Sequence, residues 1–299
     1  MADARSDRSW LPSFVVLSAI WGASFLFIKV GDRAFEPLQV AFGRCLLGAI
    51  ALLGALALRR EPLPRGRDAW LHLMVIAVLF NSVPFALFAW GETEVSSVVA
   101  GIWNATTPLN TLLVALAVLP DERPERARVL GLATGFAGVV VVLGPWSGLG
   151  GRLLGNLACY GAAACYGLGF VYTRRYLAGR RESAVSLSAA QTLCGSIQLV
   201  LVVPWLTSAP HSFPFDSVLS MIALGAGGTG IAYVLNYEVI RRVGATVAST
   251  VTYLIPLFST VLGVVVLGEG LAWNQPVGAA VVLFGVALSQ GRLSRPRRE

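Results

Sequence analysis

The sequence predicts an all-α membrane protein: ten transmembrane helices in two inverted five-helix repeats around a central cavity. Three observations carry that prediction. Of 299 residues, 56% are hydrophobic and only 13% charged, with a mean hydropathy of +0.70, far from the balance of a soluble domain. Apolar runs of the roughly 20 residues needed to cross a hydrocarbon core recur along the chain with short segments between them. The two halves also resemble one another when laid side by side.

The first run, near 11–30, is longer than a secretory signal's apolar region and has a counterpart later in the chain, so it is expected to stay in the mature protein. Runs near 38–58 and 69–90 follow. The fourth, near 96–119, holds no charged residue from Ser96 to Leu119, yet "GIWNATTPLN" (Gly101 to Asn110) places two asparagines, two threonines and a proline at its middle. A run near 128–145 closes the first half, residues 1–150. The second half, residues 151–299, carries runs near 152–172, 184–206, 218–240, 245–267 and 275–290. Cys45, Cys159, Cys165 and Cys194 all fall inside runs, where a thiol behaves as a small hydrophobe, and their spacing suits neither a metal nor a disulfide framework. No cofactor is expected.

The net charge of +7 and a pI near 9.7 reflect placement rather than a nucleic-acid surface. Alternate loops receive Arg5 and Arg8; Arg59, Arg60, Arg65 and Arg67; Arg123, Arg126 and Arg128; Arg174, Arg175, Arg180 and Arg181; Arg241 and Arg242; and Arg292, Arg295, Arg297 and Arg298. The opposite loops hold Arg33 and Arg152. By the positive-inside rule the rich side is cytoplasmic, which puts both termini there and makes the number of spans even.

"AIWGASFLFIK" (19–29) lies over "ACYGLGFVYTR" (164–174), pairing Trp21 with Tyr166. "VVAGIWNATTPLNTLLVALAVL" (98–119) lies over "TVASTVTYLIPLFSTVLGVVVL" (246–267), pairing Pro108 with Pro256. Five spans per half, an odd number, oblige the second half to enter from the opposite side, the architecture of many secondary transporters.

Prolines near the middle of a span remove a backbone donor and kink the helix, and carbonyls freed at bilayer depth are tolerated only against protein or a water-filled cavity. Helical spacing puts Ala100, Trp103, Asn104, Thr107 and Thr111 on one face, which is expected to line such a cavity; the alternative is that these polar groups satisfy the kink or join helices. Thr229, Tyr233, Asn236 and Tyr237 form a stripe on the eighth run, with Asn81, Phe85 and Phe88 on the third. Aromatic rings with polar tips suit an amphipathic ligand. Trp10 and Trp273 read as interfacial, whereas Trp103, Tyr233 and Tyr253 lie deeper. The "GLGF" and "GAGGTG" glycines permit close helix approach and form no nucleotide loop.

Three ionisable groups lie in or at the ends of runs. Arg44 is either a functional charge or one that snorkels and pairs with Glu36 or Asp32. Lys29 ends the first run, and Glu238 lies one turn from Arg241 and Arg242 near the end of the eighth. With no carboxylate expected at mid-depth, the cavity should favour neutral or zwitterionic molecules, held by amides, hydroxyls and aromatic faces. No paired aspartates or histidine-rich set supports an enzyme; the two histidines are His72 and His211, neither on a central face.

Ten spans in inverted halves, "WGASF" in the first run, "EPLQVAFGRCLLGA" (36–49) in the second, and mid-span "TP" and "IP" resemble the drug/metabolite transporter superfamily, and within it the ten-span EamA-type exporters, bacterial aromatic amino acid exporters among them. The resemblance covers nearly the whole chain. It implies alternating access around a cavity built from spans 1, 3, 4, 6, 8 and 9, with spans 5 and 10 as scaffold. The membrane-embedded glutamate of the four-span multidrug relatives has no match here, where Trp21 and Ser24 occupy that region. The expectation is a bacterial inner-membrane exporter of aromatic or bulky hydrophobic amino acids or similar small metabolites; nucleobases, drugs or other neutral metabolites are the alternative. Trp21, Trp103 and Tyr166 would supply walls, and Asn81, Asn104, Asn236 and Tyr237 the polar contacts. The partners are the bilayer and a small-molecule substrate, with no nucleic acid; monomer and homodimer remain open.

Overall fold

The computed structural model describes residues 9–95, 97–119, 125–147, 152–210, 212–267 and 272–290. These residues hold helices and no β-strand. Arg5, Arg8, Arg123, His211 and the arginines beyond residue 290 lie outside them, as does the side chain of Lys29.

Helix α1 (Leu11–Gly31) is followed by α2 (Pro37–Arg59), which starts on a capping box between Glu36 and Gln39 with proline in its first turn. Helix α3 (Arg67–Ala77) passes through a π-helical segment, Val78–Ser82, into α4 (Val83–Glu94). The fourth run is two helices, α5 (Ser97–Asn104) and α6 (Thr107–Val118), separated by a turn at Ala105–Thr106. Pro108 therefore sits in the first turn of a new helix, where its missing N–H costs nothing, and is not a kink in a continuous one. Helix α7 (Arg126–Leu143) completes the first half.

In the second half α8 (Leu153–Tyr172) continues into a π-helical segment, Thr173–Leu177. Helix α9 (Ala184–Val200), capped by the Ser183 hydroxyl, leads to the short α10 (Val203–Leu206). Helix α11 (Phe215–Ile222), a π-helical segment (Ala223–Ile231) and α12 (Ala232–Ser249) run on without a loop. Gly244, at φ 80° and ψ 175°, turns the chain inside α12 in a conformation that favours glycine. Helix α13 (Val251–Leu267) contains Pro256 in its interior, and α14 (Asn274–Ser289) ends the described fold.

Every expected apolar run is helical. Seven stretches among the described residues are long and apolar enough to cross a membrane: Leu11–Ile28, Pro37–Arg59, Arg67–Gly91, Arg126–Leu143, Leu153–Leu177, Ala184–Leu206 and Phe215–Ser249. Val251–Leu262 and Asn274–Ser289 are shorter apolar helices, and the fourth run is divided by its turn. Exposed Leu113, Leu130, Leu153, Leu219 and Val265 give the molecule the apolar exterior that lipid requires.

Helices α7 and α14 meet backbone to backbone. A Cβ on Gly138 would lie 2.6 Å from the Val282 amide nitrogen, and one on Gly278 2.5 Å from that of Val142. Gly131 faces Ser289 and Gly285 faces Gly135 just as closely. Small residues in this register allow dispersion contact along the whole interface, where lipid offers no hydrophobic drive. The core beside this pair is aromatic, with Phe14, Phe80, Phe170, Tyr233, Tyr237 and Tyr253 in one buried cluster.

Candidate functional site

Two connected hollows lie among α1, α2, α4, α5, α8, α12 and α13. The inner one, with an open volume of about 590 Å3, is lined by Trp21, Ser24, Ile28, Arg44, Phe80, Phe85, Asn104, Tyr166, Phe170, Tyr233, Thr252 and Ile255. It shares Ile28, Arg44, Phe85, Asn104 and Tyr166 with an outer hollow of about 1080 Å3. The rim of the outer hollow carries Asp32 and Pro37, so the cavity widens toward the arginine-poor end.

Aromatic rings build the walls. Phe80, in the π-helical turn, meets Phe170 edge to face at 5.1 Å, Tyr166 at 5.9 Å and Tyr233 at 6.2 Å between centroids. Trp21 stands edge-on to Tyr233 at 6.5 Å, and Phe88 stacks on Tyr166 at 6.0 Å. The Tyr233 hydroxyl donates to the Phe80 carbonyl at 2.9 Å, which locks two of these rings together.

The prolines place polar groups on this wall. An interior proline withholds the N–H that would bond the carbonyl four residues earlier. For Pro256, inside α13, that residue is Thr252, which lines the inner hollow; Pro108 instead opens α6 after the turn, and Asn104, the last residue of α5, lines the hollow beside that turn. Asn104 ends α5, and its Oδ1 is buried without a hydrogen-bond partner among the described residues.

Arg44 also lines both hollows. Its Nε donates to Thr229 Oγ1 at 3.0 Å and its Nη2 to the Gly228 carbonyl at 3.5 Å, while its guanidinium carbon lies 4.1 Å from the centre of the Phe85 ring. The expected pairing with Glu36 or Asp32 is not what the structure has: Glu36 Oε1 accepts from the Ser208 amide, and Arg44 turns inward. The expectation that the central faces carry only amides, hydroxyls and aromatics is corrected accordingly. Its cause is long-range, because Thr229 stands 185 residues away in sequence.

Several expected lining residues lie elsewhere. Trp103 points away, donating to Asn156 Oδ1 at 2.9 Å and packing edge-on against Tyr160, while Thr111 is buried and donates to the Thr107 carbonyl. Thr107 and Asn236 are buried, each with an unpartnered side-chain oxygen, but line neither hollow. Tyr253 is fully buried, donating to the Leu132 carbonyl at 2.9 Å with its ring over Gly135, so it joins α13 to α7. Asn81 and Tyr237 belong to a buried relay: Tyr237 donates to Gln191 Oε1 at 2.7 Å, Gln191 donates to Asn81 Oδ1 at 2.9 Å, and the Asn81 amide reaches Cys45 Sγ at 3.6 Å. Pairing within the protein uses up these groups. Gln191 and Phe80 were missed; the neighbour of a predicted asparagine was the only signal for Phe80.

The arginine-rich end is closed by ionic contacts. Arg180 pairs with Asp68 at 2.9 Å and Glu182 at 3.1 Å, and Arg241 donates to the Glu182 carbonyl at 2.8 Å. Burial pushes the Glu182 carboxyl up, but hydrogen bonds from Arg180 and its own backbone outweigh this and hold it below its ordinary value. Bonding to Glu182 and Asp68 raises Arg180 in turn, against its burial. Glu238 is half-buried near Arg241, but among the described residues no ion pair joins it to Arg241, which donates to the Glu182 carbonyl, or to Arg242, which donates to Ser9 Oγ. At the other end, burial pushes the Asp32 carboxyl up to about 6.

The profile of the EamA-like transporter family matches residues 8–144 and 153–290. An uncharacterised inner membrane transporter of Escherichia coli K12, YedA, is 29% identical over 94% of this chain and 91% of its own length. An uncharacterised transporter of Archaeoglobus fulgidus is 26% identical over 93% of this chain and 97% of its own. A probable terminal-alkyne amino-acid exporter of Streptantibioticus cattleyicolor is 25% identical over 96% and 95%. A solved crystal structure superimposes with a TM-score of 0.79 at 24% identity, covering 94% of this chain and 97% of the other, which shows a shared fold.

Proposed function

The chain belongs to the EamA-like transporter family, and on that premise we propose that it exports amino acids, aromatic or bulky hydrophobic, or similar small metabolites across a bacterial inner membrane by alternating access. The single observation that carries this reading is the aromatic cavity with Asn104 and Thr252 on its wall, open toward one end and closed toward the other. The matching of one family profile to 8–144 and again to 153–290 supports two inverted five-span halves, with α5–α6, α13 and α14 completing ten crossings. The distribution of arginine supports cytoplasmic termini. In that orientation the cavity faces outward and the ionic cluster closes the cytoplasmic side.

A relative named as an amino-acid exporter favours amino acids over nucleobases or drugs. The walls suit them: flat rings for a bulky side chain, and the Asn104 amide and Thr252 hydroxyl for the polar end. Counterflow of labelled phenylalanine or tryptophan into liposomes loaded with the unlabelled amino acid tests the reading. Saturable uptake is expected, and Trp21→Ala or Asn104→Ala should reduce it about tenfold, the equivalent of roughly 1.4 kcal/mol, without lowering the amount of folded protein. Trp103→Ala should instead act on folding, since its indole bridges α5 to α8. Normal uptake in both cavity variants would overturn the site.

A further inference from the structure

Arg44 is a cation inside a membrane-spanning helix with no carboxylate within ion-pairing distance among the described residues. Such a charge is expensive in hydrocarbon and is retained where it faces water or a counter-ion. Thr229 Oγ1 and the Gly228 carbonyl satisfy two of its N–H groups but supply no negative charge. Among the described residues no acceptor bonds its Nη1, and the side chain lines both hollows.

The surroundings hold the guanidinium still. Its guanidinium carbon sits over the Phe85 ring and its Nε is pinned by Thr229, which together restrict the orientation of the fork. The glycine-rich stretch explains how it gets there. The π-helical segment Ala223–Ile231 widens the helix and turns the Gly228 carbonyl toward α2. A Cβ on Gly48 would lie 2.9 Å from the Gly225 carbonyl oxygen, and one on Gly225 would collide with Leu47, so only glycine lets the two backbones approach this closely.

We propose that Arg44 is the anchor for a carboxylate on the transported molecule, and that the cavity selects organic acids, amino acids included, over amines and neutral metabolites. The proposal rests on the transport reading and narrows it. A planar fork meets a carboxylate through two parallel hydrogen bonds, which adds direction to the charge. For an amino acid, the Asn104 side chain on the hollow wall is the polar partner for the ammonium, and Trp21, Tyr166 and Tyr233 flank the side chain.

The test compares L-phenylalanine, 3-phenylpropionate, phenethylamine and adenine as ligands of the purified protein by thermal shift, and as competitors of phenylalanine counterflow. Wild type should be stabilised by the two acids and not by phenethylamine or adenine. Arg44→Gln should weaken the acids by tenfold or more, and Arg44→Lys should restore part of that loss, since a lysine keeps the charge but not the fork. Equal protection by the amine or adenine in wild type overturns the proposal, and this arm needs no variant to fold. Phenylalanine counterflow undiminished in Arg44→Gln overturns it too, while leaving the transport reading intact. Arg44-dependent binding of the acids with no counterflow upholds the anion site and sinks the transport reading.

Discussion

Asp32 caps the end of α1 on the rim of the cavity, where burial raises its carboxyl from 3.8 to about 6. Among the described side chains, the neighbouring charges are otherwise occupied: Arg33 lies 3.8 Å from Asp216, and Glu36 accepts from the Ser208 amide. A folded-state value above the unfolded one means that the native protein binds this proton more tightly, so the contribution to stability falls as pH rises from about 4 to 6. For transport the sign follows from charge. Above pH 6 an ionised Asp32 repels a substrate carboxylate on its way to Arg44, and below pH 6 it does not. Apparent affinity for phenylalanine presented at the arginine-poor end should therefore improve a few-fold as pH is lowered from 7.5 to 5. Asp32→Asn should hold the low-pH affinity throughout, and an unaltered profile in that variant removes Asp32 from the path. Asp32 and Arg44 were visible in the sequence as charges at or inside a run, but their roles were not. What decides between a snorkelling arginine and a cavity arginine is Thr229, brought beside it only by the fold.

Helices were legible because lipid demands a run of apolar residues of a given length, and all ten expected runs are helical. The breaks were less so. Pro108 signalled a discontinuity, but a proline serves a kink and a helix start equally well, and the turn at Ala105–Thr106 settles which it is. Pro256 still points to the correct wall through Thr252, four positions before it, and the turn ahead of Pro108 leaves Asn104 on the same wall. Thr111, on the face that helical spacing assigned to the cavity, lies elsewhere because the turn ends the periodicity after Asn104, and Trp103, still inside α5, is drawn to Asn156 of α8 instead. The contact of α7 with α14 gives a prediction of its own. Gly138→Leu must push two backbones apart, and an overpacked contact costs about 1–3 kcal/mol. The variant should melt several degrees lower in detergent, whereas Gly54→Leu, whose position has open space around it, should melt as wild type does. If transport survives in folded Gly138→Leu, this pair acts as scaffold only.

Alternating access requires the whole molecule to exchange one closed end for the other, and the closed end here has two layers of unequal strength. The inner layer, Tyr237–Gln191–Asn81, is fully buried, so each hydrogen bond lost on opening must be replaced by water entering the gap. In the outer layer Asp68 is 74% exposed and its bond to Arg180 is screened, while Arg180 and Glu182 are 22% and 21% exposed and hold each other and Arg241. Glu182 is therefore the latch and Asp68 an accessory. A cysteine introduced by Ser188→Cys, at a fully buried position on α9 one turn from Gln191, reports opening once the four native cysteines are replaced. Glu182→Gln should raise its labelling by an impermeant maleimide applied from the arginine-rich side about tenfold, and Asp68→Asn less than about twofold, because a tenfold change in population corresponds to roughly 1.4 kcal/mol. Saturating phenylalanine from the opposite side should raise labelling in wild type as well, since a transported ligand must stabilise the passage between states. If the two variants label alike, the buried relay alone holds the closed end, and Gln191→Leu becomes the change that opens it.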